Sequence, residues 1–151
     1  MRVLAVCLGN ICRSPAAEAA ITEAASSAGV DVEVDSAGTG AYHIGEPPDE
    51  RMRRAAAQAG LSIAGRARQF EPEDFDRFDL IVVMDQANLH DVLAQAPDED
   101  AAGRVRLFRS FDPTADDLDV PDPYYGGAEG FARVVDMVRR AAAGLITEIE
   151  R

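Results

Sequence analysis

The sequence predicts an α/β fold, a four-stranded parallel sheet with helices on both faces. Two observations carry that expectation. Short unbroken apolar runs such as "VLAV" and "LIVV" recur along the chain, as they do in strands buried on both faces. Between them lie segments with apolar residues at helical spacing, and strands alternating with helices assemble into a covered parallel sheet. No linker, repeat or low-complexity block interrupts the 151 residues, so 1–151 reads as a single domain.

The first strand is expected at Arg2–Val6. Ser14 and Pro15 suit an N-cap and first helical position, and the helix behind them runs to about Ala28. Its inner face would carry Ala17, Ala20, Ile21, Ala24 and Ala28, with Gly29 ending it. "DVEVDS", Asp31–Ser36, alternates like a second strand, and "AGTGAYHIGEPPDE" is a loop by its glycines and prolines. Asp49 to Ala59 reads as a helix stopped by Gly60. Leu80–Val83 is a third strand, followed by a helix near Gln86–Leu93, and Val105–Phe108 is a fourth. The last helix carries Phe131, Val134, Val135, Val138, Ala142, Leu145 and Ile149 at helical period.

Charge narrows the partners. A formal charge of −12 repels nucleic acid and anionic membranes, so neither is expected as a nonspecific partner. No apolar stretch approaches the roughly 18 residues of a membrane helix, and the run in "MRVLAVC" is too short for a signal-peptide core or for a lipidation reading of Cys7. Cys7 and Cys12 are the only cysteines; a disulfide between them would close a tiny loop, and with His43 and His90 they make no zinc set. No metal or cofactor is expected, and a reducing cytoplasm is the expected setting.

The chemistry concentrates in "CLGNICRSP", Cys7 to Pro15. In covered parallel sheets ligands bind at the carboxyl ends of strands, and Cys7 lies at one. A loop wrapped around a helix N-terminus aims successive amides at an anion. Gly9 permits a tight turn, Asn10 tolerates a left-handed backbone, and Arg13 adds a planar fork matched to two phosphate oxygens. The helix end and the arginine both favour the thiolate of Cys7, a nucleophile suited to phosphorus. A P-loop ATPase is excluded because its glycine-lysine-serine/threonine signature is absent.

This string resembles the phosphate loop of the low-molecular-weight protein tyrosine phosphatases: Cys7, Leu8–Cys12, Arg13, then Ser14. "DSAGTG" at 35–40, "ARQF" at 67–70, "DLIVVMDQAN" at 79–88 and "DPYYGG" at 122–127 extend the resemblance over nearly the whole chain. It implies a flavodoxin-like fold and hydrolysis of phosphotyrosine through a phosphocysteine, with Cys7 as nucleophile. Leu8, Gly9, Asn10, Ile11, Cys12, Arg13 and Ser14 would bind the phosphoryl group. Asp122 would protonate the phenolate and then activate water, for which it must first carry a proton. Asp112, Asp116, Asp117 and Asp119 are expected to favour that form by like-charge repulsion; otherwise this run reads as a solvated loop. A calcium loop is excluded, since its glycine and closing glutamate are missing. Tyr42, Tyr124 and Tyr125 would wall the mouth, and relatives are phosphorylated at the latter pair. Asn10 and Ser36 would bond each other and support the loop. Cys12 is expected to be able to capture an oxidised Cys7 as a disulfide.

The implied partners are a phosphotyrosine protein, a tyrosine kinase among the possibilities, with inorganic phosphate as product. The chain departs from some relatives at Gly65, where they carry a loop-bracing histidine. His43 and His90 match no catalytic position and read as surface or structural. Three alternatives share the scaffold. Protein arginine phosphatases carry threonine where this chain has Ile11, an apolar residue better suited to an aromatic ester. Arsenate reduction needs cysteines downstream of Cys12, and there are none. A phosphopeptide-binding module without turnover fits poorly with Cys7, Arg13 and Asp122 all present.

Overall fold

A computed structural model describes residues 1–151. Its four parallel strands are β1 (Arg2–Cys7), β2 (Glu33–Gly38), β3 (Leu80–Val83) and β4 (Val105–Leu107), in the order β2-β1-β3-β4. The helices are α1 (Arg13–Ala28), α2 (Glu50–Gln58), α3 (Asp74–Arg77), α4 (Gln86–Leu93), α5 (Glu99–Ala102) and α6 (Ala128–Ile149). The predicted fold class is the one observed. No helix is long and apolar enough to cross a membrane.

Side-chain alternation along the strands divides the interior into two layers. Val3, Ala5, Cys7 and Val82 face one core with α1, α2 and α6. Leu4, Val6, Ile81 and Val83 face the other, with Phe75 from α3, Val92 from α4 and Ala101 from α5. The chain passes from β1 to β2 on one side and then crosses to β3 on the other. The carboxyl end of β1 is therefore the switch point of the sheet, where a crevice opens between diverging loops. Cys7 occupies it.

Several boundaries differ from expectation, each for a physical reason. Ser14 is not an N-cap: α1 begins at Arg13, Cys12 is the cap residue, and no side chain caps the end. Pro15 still falls in the first turn, where a missing N–H costs no helical bond. The buried face of α1 is Ala16, Ala17, Ala20, Ile21 and Ala25, while Ala28 is exposed. β2 lies two residues later than Asp31–Ser36, because parallel pairing sets Arg2 against Glu33 and Cys7 against Gly38. Phe108 leaves β4 to begin a 3-10 turn, Phe108–Phe111. Asp49 is the N-cap of α2 and accepts from the Arg51 amide. The single-turn helices α3 and α5 are too short to show a period in the sequence.

Candidate active site

At the carboxyl end of β1 the loop from Leu8 to Cys12 doubles back onto α1. Asn10 is the one non-glycine residue with positive φ, 58°, as its side-chain chemistry predicted. That turn brings its own N–H onto Cys7 Sγ at 3.2 Å. Ser14 Oγ lies 3.0 Å from the same sulfur and accepts from Asn10 Nδ2 at 2.8 Å. Having accepted there, the hydroxyl has its proton free for the sulfur or for the Ala37 carbonyl at 3.3 Å. The sulfur accepts from the Asn10 N–H, and from the Ser14 hydroxyl when its proton turns that way.

The same Asn10 amide donates to Ser36 Oγ at 3.0 Å, as the resemblance implied, and its oxygen accepts from the Arg68 N–H at 3.0 Å. All three side-chain contacts agree on which way the amide points. Arg68 is itself fixed: its guanidinium grips Asp35 and the fully buried Asp74, both at 3.1 Å. Gly65 has φ 99° with open space around it, so the brace comes from Arg68. Gly38 closes the back of the loop. A Cβ there would stand 2.6 Å from the Leu8 carbonyl oxygen.

Cys7, Leu8, Gly9, Ile11, Cys12 and Arg13 line a pocket of about 390 Å³. Its other walls are Tyr42, His43, Asp122, Tyr124 and Tyr125. Asn10, Ser14 and Ser36 are not on that surface; their side chains sit behind it. Cys7 is 2% exposed, at the floor. Tyr42 and Tyr125 stand out at the rim, and Tyr125 packs edge-on to Tyr124.

Arg13 is almost completely buried. Its Nη1 donates to Asp85 Oδ2 at 2.6 Å and to the Val120 carbonyl at 3.0 Å, and Nη2 lies 3.7 Å from Asp122. Burial opposes its charge, yet Cys7, Asp85 and Asp122 outweigh that and hold its pKa above the ordinary arginine value. Burial likewise pushes the Cys12 thiol far up, with Asp49, Cys7 and Asp122 adding to it. Both cysteines are unbonded thiols. Asp122 Oδ1 accepts from the Tyr124 N–H at 3.0 Å, leaving Oδ2 toward Arg13 and the pocket.

The other aspartates of the run each have partners elsewhere. Asp112 accepts from Thr114, Asp117 from the Asp119 amide and Asp119 from the Gln86 amide, while Asp116 lies 3.6 Å from Arg109. These residues shape the loop that carries Asp122.

Two site residues were not anticipated. Asp85 caps α4 with one oxygen, accepting from Asn88 N–H at 2.8 Å, and takes Arg13 with the other. Its signal was available: an acidic N-cap directly after a buried strand lies at the ligand-binding end of the sheet. His43, expected to be merely surface or structural, is in the pocket wall. Its Nδ1 is 2.8 Å from Glu46 and its ring centroid is 6.1 Å from that of Tyr124. Only the i,i+3 spacing of His43 and Glu46 hinted at this pairing. His90 takes no part in the pocket.

Comparison with known proteins places this geometry. The family model for low molecular weight phosphotyrosine protein phosphatase matches residues 2–151. A low molecular weight protein-tyrosine-phosphatase of Streptomyces coelicolor is 47% identical, covering 98% of this chain and 93% of its own. The Homo sapiens low molecular weight phosphotyrosine protein phosphatase is 37% identical, over 95% and 92%. The crystal structure of a protein tyrosine phosphatase from Entamoeba histolytica, holding Hepes in its active site, superposes with a TM-score of 0.96 at 39% identity, over 99% and 97%.

Proposed function

The chain belongs to the low molecular weight phosphotyrosine protein phosphatase family, and from that premise we propose how its residues divide the work. It hydrolyses phosphotyrosine through a cysteine nucleophile. The observation that most directly supports Cys7 in that role is its sulfur at the pocket floor, taking the Asn10 N–H and facing Ser14.

In the first step Cys7 Sγ attacks phosphorus, the S–P bond forms and the P–O bond to the tyrosine ring breaks. Asp122 gives its proton to the departing phenolate oxygen. Arg13 and the loop amides take the charge of the three equatorial oxygens. In the second step water attacks the phosphocysteine, Asp122 accepts its proton, inorganic phosphate leaves and the thiolate returns. The substrate ring passes between Tyr42, Tyr124 and Tyr125, and the apolar Ile11 in the lining favours an aromatic ester over a guanidinium. The partner is a protein carrying phosphotyrosine, a tyrosine kinase included, and the setting is the cytoplasm.

The test is phosphate release from matched phosphotyrosine and phosphoarginine peptides. Turnover of the phosphotyrosine peptide, lost in Cys7→Ser, is expected. Faster release from phosphoarginine would overturn the role given to Ile11, and undiminished turnover by Cys7→Ser would overturn the nucleophile.

A further inference from the structure

Arg109 stands in the 3-10 turn behind the loop that carries Asp122, and only 7% of it is exposed. Its Nη1 donates to the Asp119 carbonyl at 2.8 Å. Its Nε is buried with no partner; Asp116, the carboxylate it pairs with at 3.6 Å, is 96% exposed, and the buried Asp112 also feels its charge. A guanidinium taken this far from water needs firm partners, and the Asp119 carbonyl is the firmest it has. The next carbonyl along, Val120, accepts from Arg13 at 3.0 Å. Two arginines thus hold consecutive carbonyls of one loop, one from the active site and one from behind. The Val120 N–H completes the clamp by donating to the Met84 carbonyl at 2.7 Å. Asp122 is two residues further on.

We propose that Arg109 is a positioning residue for the general acid: by holding the Asp119 carbonyl it sets the height at which Asp122 meets the leaving oxygen. Arg109 is not among the residues that line the pocket. The inference rests on the acid role assigned to Asp122 above, so its test must separate the two.

A misplaced acid has a signature that a weakened fold lacks. Proton delivery matters most when the leaving phenol is a weak acid, whereas loss of folded enzyme lowers turnover of every substrate by one factor. The experiment measures kcat/KM over a series of aryl phosphates for wild type, Arg109→Met, Arg109→Lys, Asp122→Asn and the Arg109→Met/Asp122→Asn double variant. Arg109→Met is expected to lose roughly tenfold on phenyl phosphate and under about twofold on p-nitrophenyl phosphate. Arg109→Lys should recover most of the difference. With Asp122→Asn already in place, Arg109→Met should add no further leaving-group dependence. A uniform loss across the series, or a slope that adds to that of Asp122→Asn, overturns the proposal. If Asp122→Asn itself leaves the slope unchanged, the acid assignment fails and this inference falls with it. Should Arg109→Met not fold, Arg109→Gln, too short to reach Asp119, is judged by the same criteria.

Discussion

Replacing Asn10 by alanine tests the loop at its most connected point. The substitution removes donors to Ser14 and Ser36 and the acceptor of the Arg68 N–H, all at a residue only 2% exposed. At about 1 kcal/mol net for each hydrogen bond, the lost contacts cost about 3 kcal/mol. Alanine must also adopt the left-handed backbone at φ 58°, which adds roughly 1–2 kcal/mol. The total, about 4–5 kcal/mol, is a large part of the stability of an ordinary domain. Asn10→Gly loses the same bonds but not the backbone term, less a smaller entropic loss of about 0.4–1 kcal/mol in the unfolded chain. It should therefore be more stable than Asn10→Ala, by about 0.8 kcal/mol at the middle of the two ranges, the reverse of what holds in a helix. Urea titrations of wild type and both variants, compared at matched slope, read this difference. Asn10→Gly at or below Asn10→Ala would refute the assignment of strain to this position.

Other outcomes follow from the same geometry. Asp85→Asn leaves the buried Arg13 guanidinium without its 2.6 Å partner; we expect a loss of roughly 3 kcal/mol in stability and weaker phosphate inhibition, both read on the purified variant. Gly38→Ala would press a methyl group onto the Leu8 carbonyl, and a cost of about 1–3 kcal/mol with a sharp fall in kcat is expected in denaturation and turnover assays. Burial raises the folded-state pKa of Cys12, so its neutral thiol stabilises the fold fully below the ordinary value of 9.0; that contribution fades as pH rises above it. Wild-type stability should fall by up to about 1.4 kcal/mol per pH unit there, and the fall should be shallower in Cys12→Ala. Asp49 shows the opposite sign. Burial would raise its pKa, but the Arg51 bonds outweigh that and lower it, so the cap persists down to pH values below the usual carboxylate range. Asp49→Ala should cost about 1 kcal/mol at neutral pH, and progressively less as pH falls below the usual carboxylate range toward the lowered value.

Much of this was legible in the chain because it is written locally. Continuous apolar runs mark β1 and β3, helical period marks α6, and a cysteine-to-arginine loop after a strand marks where the pocket lies. What escaped depends on contacts distant in sequence. Asp85 reaches Arg13 across 72 positions: its place at the end of a buried strand was readable, but its partner was not. The two-residue offset of β2 comes from its register against β1, and the pocket-side place of His43 comes from how the 39–46 loop folds over Gly9. Ser14 misled in an instructive way: serine before proline is a good cap by propensity, yet its hydroxyl is committed to Cys7, Asn10 and Ala37. Where a side chain has chemistry to serve, local preference yields.

Cys7 also belongs to the larger of the two hydrophobic cores, alongside Val3, Ala5 and the buried faces of α1 and α6. The reactive atom is therefore part of the packing that makes the protein cooperative. A partly opened molecule in which α6 has lifted away keeps the residues of the site in sequence but loses the floor beneath them. Turnover should then disappear as soon as α6 lifts, while amides of the other core, around Leu4, Val6 and Ile81, are still protected.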